Sequence, residues 1–189
     1  MKKLLVSGAF MLASATASAA GFNYTYVEGG YGEVDNGDAF FVAGSAQLQR
    51  GLSVIGSYHR VDFDGPFDGD IYTVGAQINT PVGPATDFFA SASAVRMEVD
   101  TTRRVLWYRE KVTARDTGLL VRAGLRHQLQ SNLHLEGDVS YNTNDFWDEN
   151  ELGIRGAVRY FFAPQVSAAV GFASDQELDG IFVSGRFEL

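Results

Sequence analysis

The sequence predicts a ten-stranded antiparallel up-and-down β-barrel that crosses a membrane. Three observations predict it: apolar and polar residues alternate with period two from residue 22 to the end, Gly, Pro, Asn and Asp clusters interrupt that alternation at short intervals, and no helix-length segment remains. Side chains on a strand point to opposite faces in turn, so each such run presents one apolar and one polar face. The chain has 189 residues and a mean hydropathy of -0.06, too polar for a helical membrane bundle but natural for a barrel, where lumen and lipid residues cancel. Its length fits a single domain, and zero cysteines remove disulfides, thiolate metal sites and a cysteine nucleophile.

The N-terminal element is a leader. Lys2 and Lys3 open it, Leu4 to Leu12 is mostly apolar, and Ala17-Ser18-Ala19 offers small residues for cleavage, so residues 1–20 read as a secretory signal peptide and residues 21–189 as the barrel domain. Without the two lysines, 13 bases face 23 acids, a net charge of 13 - 23 = -10 that excludes nucleic acid as a partner.

The strands follow at roughly 22–34, 39–49, 52–61, 70–80, 87–99, 113–130, 133–142, 150–162, 165–174 and 180–189, with eight as the alternative count. The seventh sets Leu133, Leu135, Val139 and Tyr141 against His134, Glu136, Asp138 and Asn142. The eighth sets Leu152, Ile154, Val158, Tyr160 and Phe162 against Arg155 and Arg159, and the sixth sets Leu119, Val121 and Leu125 against Arg122 and Arg126. In the tenth, Ile181, Val183 and Phe187 oppose Ser184, Arg186 and Glu188. The fifth is ambiguous, because Ala90, Ala92 and Ala94 alternate with Ser91, Ser93 and Val95. We expect Arg96 and Glu98 to point inward there, since an Arg at the lipid midplane costs about 2–4 kcal/mol.

Alternation alone fits a soluble sandwich equally well. Three features favour the barrel. Connections are tight after the second, sixth and eighth strands and longer and acidic after the third, fifth and seventh, the asymmetry of periplasmic turns and extracellular loops; the short first loop at 35–38 and the long Pro81 to Thr86 turn are exceptions. Aromatics gather at strand ends, with Tyr24, Tyr26, Phe88, Phe89, Tyr160 and Phe162 forming one expected girdle and Tyr31, Phe40, Tyr58, Tyr72 and Tyr141 the other. The last strand ends the chain, as it would when it pairs with the first to remove the sheet edge.

The leader, the first strand Tyr24-Thr25-Tyr26-Val27-Glu28-Gly29-Gly30-Tyr31 and the last strand ending Gly185-Arg186-Phe187-Glu188-Leu189 resemble the small outer-membrane β-barrel proteins of Gram-negative bacteria. The chain is most similar to a short barrel family common in xanthomonads and their relatives, whose members carry the Tyr-Val-Glu-Gly-Gly-Tyr run. The resemblance implies a place in the bacterial outer membrane, contact with its lipid and lipopolysaccharide, and delivery by the barrel assembly machinery.

By parity the lumen receives Glu28, Arg96, Glu98, Arg122, Arg126, Glu136, Asp138, Arg155, Arg159, Arg186 and Glu188, six cations against five acids. A bore of this size is nearly filled by side chains, so such a set is expected to pair and close it. The alternatives are an ion-selective constriction in a narrow passive channel for small solutes or ions and, third, an outer-membrane hydrolase. Most remaining charges fall at the outer end, 17 acids against 6 bases, densest at Asp62 to Asp70 and Asp145 to Glu149. No EF-hand register is present and no metal site or cofactor is expected. Between the fifth and sixth strands Arg103, Arg104 and Arg109 surround Trp107 and Tyr108, a hairpin suited to anionic lipid phosphate or a partner.

Catalysis needs a base beside a nucleophile or water. Of His59, His127 and His134, only His59, with Asp62 and Asp64 near in sequence, has a candidate setting, and there is no serine motif, so no enzyme activity is expected. The expected role is structural or one of surface interaction, carried by the outer loops.

Overall fold

In a computed structural model the chain forms a closed barrel in which every strand pairs antiparallel with its sequence neighbours and the first pairs with the last. The structure describes residues 21–34, 37–63, 67–105, 108–143, 151–175 and 178–189, with the backbone alone at 67, 100–105, 108–112, 151, 175 and 178. The strands are β1 (Tyr26–Val34), β2 (Gly37–Gln49), β3 (Leu52–Phe63), β4 (Phe67–Gly83), β5 (Thr86–Val105), β6 (Tyr108–Gln130), β7 (Leu133–Asn142), β8 (Glu151–Ala163), β9 (Val166–Asp175) and β10 (Leu178–Glu188). Ten strands agree with the sequence count.

Closure is set by the β1–β10 register, in which Glu28 faces Arg186 and Gly29 faces Gly185. The main-chain N–H of Leu189 donates to the Thr25 carbonyl at 2.9 Å, so pairing continues to the last residue. The end of the barrel that holds both termini carries four two-residue turns, each beside a register shift: at Gln47/Gln49, Pro81/Gly83, Gln128/Gln130 and Phe161/Ala163. The expected long turn at Pro81 is therefore a bulge followed by Pro84-Ala85, because the proline cannot donate to the ladder and the strand steps around it.

At the opposite end β4, β5 and β6 are longer than expected. Residues read as loop, 100–105 and 108–112, continue the β5–β6 ladder through Arg104 facing Arg109 and Val105 facing Tyr108. β6 pairs with β7 from Leu120 onward, whereas β5 accompanies it from Tyr108 to His127.

The two faces are inverted relative to a soluble protein. Val27, Val42, Val54, Val74, Leu125, Ile154, Val170 and Val183 point outward and are exposed, while Glu28, Arg126, Glu136, Asp138, Arg159 and Arg186 point inward and are buried. An apolar band around a closed wall, with charge inside, is stable only where lipid surrounds it, which is the arrangement of an outer-membrane β-barrel. Its girdles differ in part from expectation. Tyr31, Phe40, Tyr72, Tyr141, Tyr160 and Phe162 are outward and exposed, but Tyr24, Tyr26 and Phe89 turn into the bore. They do so because they share the parity of inward neighbours: Tyr26 with Glu28, and Phe89 with Ser91.

Candidate functional site

The candidate site is the charged layer across the bore. Ladder geometry delivers its members: even residues of β1, β6, β7 and β10 and odd residues of β8 face inward, so Glu28, Arg126, Glu136, Arg159 and Arg186 converge from five strands. Arg159 is 1% exposed and bridges two acids, with Nη2 2.7 Å from Glu28 Oε1 and Nε 2.9 Å from Glu136 Oε1. Arg186 repeats the pattern, with Nη2 2.7 Å from Glu28 Oε2 and Nη1 3.3 Å from Glu136 Oε1. Ser184 Oγ also donates to Glu28, at 2.6 Å. A buried carboxylate is tolerated only when charge-assisted hydrogen bonds replace its water, and Glu28 has such bonds on both oxygens.

Arg126 is balanced differently. Its Nε lies 3.9 Å from Glu136 Oε1, and its guanidinium carbon sits 4.9 Å from the Tyr24 ring, 5.8 Å from Tyr26 and 5.6 Å from Phe89. The ring faces supply attraction that carboxylates do not. Tyr24 reaches Asp87 at the far wall, its hydroxyl donating to Oδ2 at 3.0 Å. Toward the outer end a second acid, Asp138, takes Arg155 Nε at 3.0 Å and stands 4.0 Å from Arg122 Nε.

Nine of the eleven residues expected in the lumen face it: Glu28, Arg122, Arg126, Glu136, Asp138, Arg155, Arg159, Arg186 and Glu188. Glu188 lines a cavity of about 520 Å³ at the termini-bearing mouth. Arg96 and Glu98 correct the expectation. β5 turns its odd residues inward, so Ser91, Ser93, Val95 and Met97 are buried while Arg96 is exposed on the outer face. The lipid penalty does not apply to that pair. They lie about ten residues along from Asp87, near the end of the span a tilted strand needs, and there Arg96 Nη2 meets Glu98 Oε1 at 2.6 Å and Arg115 Nε meets it at 3.2 Å.

The expected lipid or partner contact is only partly within view. Arg103 and Arg104 are on β5 and Tyr108 and Arg109 on β6, but their side chains, and Trp107 altogether, lie outside the described residues, as do the leader, Asp64 and the Asp145 to Glu149 piece. The histidine setting is a further correction. His59 points into the bore and stacks on Phe41 with centroids 5.6 Å apart, while Asp62 lies on the opposite face of β3 beside Arg60. Sequence reasoning missed Tyr24, Tyr26 and Asp87 as bore residues; extending the parity of Glu28 backward and of Ser91 backward is the signal that finds them. Among the described residues, no group of three potential metal ligands occurs.

No family model matches the chain, and no curated protein matches it in sequence. Solved structures do match in fold. The KdgM porin shares 8% identity over 87% of this chain and 99% of its own, with a TM-score of 0.51, and it matches equally in its complex with disordered oligogalacturonate. The NanC porin shares 9% over 87% and 99%, with a TM-score of 0.52. The N-terminal β-barrel domain of Pseudomonas aeruginosa OprF shares 12% over 86% and 96%, with a TM-score of 0.50. At these identities the likeness concerns the fold.

Proposed function

We propose that this outer-membrane barrel is a structural and surface-interaction protein whose bore is held shut by its own charges. The observation that carries the reading is Arg159, fully buried between Glu28 of β1 and Glu136 of β7, with Arg186 closing the same ring. Ions in such a ring do not swing aside cheaply, because parting one pair leaves a buried charge uncompensated. Recognition then belongs to the outer end, where loops on a rigid scaffold carry binding residues. Lipopolysaccharide is the partner there: its phosphates suit the Arg103, Arg104 and Arg109 hairpin, and the acidic loops favour cations at the mouth. We read the barrel as non-catalytic, since His59 is stacked inside while its candidate acid is outside.

A narrow passive channel is the second reading. It is favoured by the partial exposure of Arg122 and Arg155 within the bore and by the fold shared with two porins, one of them solved with an acidic oligosaccharide. Planar-bilayer recording separates the two. We expect small or intermittent conductance from the wild type, and either larger currents or a destabilised barrel from Arg155→Ala and Arg126→Ala. Stable porin-sized currents from the wild type overturn the first reading and support the second.

A further inference from the structure

The outer half of the bore is lined unlike the inner half. A transmembrane barrel ordinarily keeps its lumen polar, yet Val61, Val95, Met97 and Leu120 are buried there, and Ile71 and Phe182 complete the wall. These residues face a cavity of about 210 Å³. Interiors packed only for stability leave few voids larger than a water, so this apolar space is more than filling.

The cavity also has a polar inner end. Arg122 and Arg155 are among its lining residues, with side chains 35% and 30% exposed. The strand wall separates both from lipid, so that exposure is to the bore. Arg126, Arg159 and Arg186, deeper in, are buried. The network joins five guanidiniums to the carboxylates of Glu28, Glu136 and Asp138, so 5 - 3 = +2, and the two arginines with open surface are the two at the cavity. Asp87 and Glu188 stand toward the other mouth, and Asp116, which shares the inward parity of Leu120 on β6 and lies opposite Met97, stands on the rim side of the cavity, away from the two arginines.

We propose that this cavity binds a small amphiphile with a carboxylate head, the head on Arg122 and Arg155 and the acyl body against Leu120, Val95, Met97 and Phe182. A guanidinium pair matches a carboxylate in charge and hydrogen-bond geometry, and the wall above it rewards apolar area removed from water. At about 30 Å³ for each non-hydrogen group, the liquid share of one water, the space holds roughly seven such groups, the seven-carbon body of octanoate with its carboxylate seated on the arginines. The acidic outer loops oppose an anion only at short range, since exposed charges are screened beyond about 8 Å at physiological salt. The proposal leans on the closed-bore reading only for a fixed floor, and bilayer recording tests that floor separately from binding.

The test uses the full barrel refolded in a neutral detergent, with carboxyl-labelled octanoate followed by carbon NMR against protein-free micelles. Octanamide, which keeps the body and loses the charge, and acetate, which keeps the charge and loses the body, are titrated in parallel. We expect a saturable, protein-dependent shift for octanoate and affinities at least about tenfold weaker for the other two. Arg122→Gln should weaken octanoate about tenfold, and Leu120→Trp, which fills the cavity, should abolish binding. The wild-type comparison needs no variant, so a variant that misfolds leaves it intact. Equal binding of octanamide, absence of saturable octanoate binding, or unchanged binding in folded Leu120→Trp overturns the proposal.

Discussion

Glu28 belongs to a strand at the seam of the barrel, yet it takes hydrogen bonds from arginines on β8 and β10 and from Ser184. Removing its charge leaves two buried guanidiniums short of a partner. We expect Glu28→Gln to destabilise the folded barrel by about 3–5 kcal/mol, read from urea unfolding or from the temperature at which its gel mobility changes. Glu98 is the matched comparison. It also meets two arginines, Arg96 and Arg115, but their side chains are more than half exposed, and Glu98→Gln should cost about 0–1 kcal/mol. Equal effects would mean that burial does not set the value of these pairs. The difference between the two acids was only half readable from the sequence. Glu28 sits in a clean alternation with Val27 and Gly29, so its face followed from parity. Glu98 follows an alanine and serine run in which neither face is marked by size or charge.

That run is where β5 defeated a rule that worked elsewhere. In β7 and β8, charged residues alternate with large apolar ones, so the lipid face is unmistakable. In β5, Ser91 and Ser93 are buried and the alanines between them look outward, a small apolar surface that side-chain volume does not announce. Avoiding charge at the membrane was the right physics applied at the wrong height, because β5 runs far enough to lift Arg96 to the level of headgroups. Ala92 lies midway between Asp87 and Met97, on the face now known to meet lipid. We therefore expect Ala92→Arg to lower stability by about 2–4 kcal/mol, while Ser91→Asn, on the bore side, changes it by less than about 1 kcal/mol. Reversed effects, measured by the same unfolding assay, would restore the original parity. The sequence also concealed a recurring pairing: Phe41 lies opposite Gly30, Phe89 opposite Gly124 and Phe182 opposite Gly171, and a Cβ on any of these glycines would strike the facing ring. Such cross-strand covers let bulky rings lie flat along the inner wall. They depend on register, which closure fixes and a linear pattern does not contain.

For the molecule as a whole, strand number, order and the inside-out distribution of polarity followed from the alternation, since lipid enforces one face along every strand. The height of the wall did not, because above the membrane neither face is compelled to be apolar and a long hairpin reads as a loop. The step from β6 down to β7 has a consequence for the main chain itself. From Tyr108 to Leu119, β5 is the only strand neighbour of β6 among the described residues. In an antiparallel ladder successive residues hand their N–H groups to opposite sides. The upper part of β6 should thus behave as a fringe: every second amide is locked to β5 and its neighbours trade protons with water. Residue-resolved deuterium exchange should print this as a slow-fast beat along Tyr108 to Gly118 that fades into uniform protection below Leu120. Uniform protection throughout would mean that another segment completes the ladder and that the rim is level.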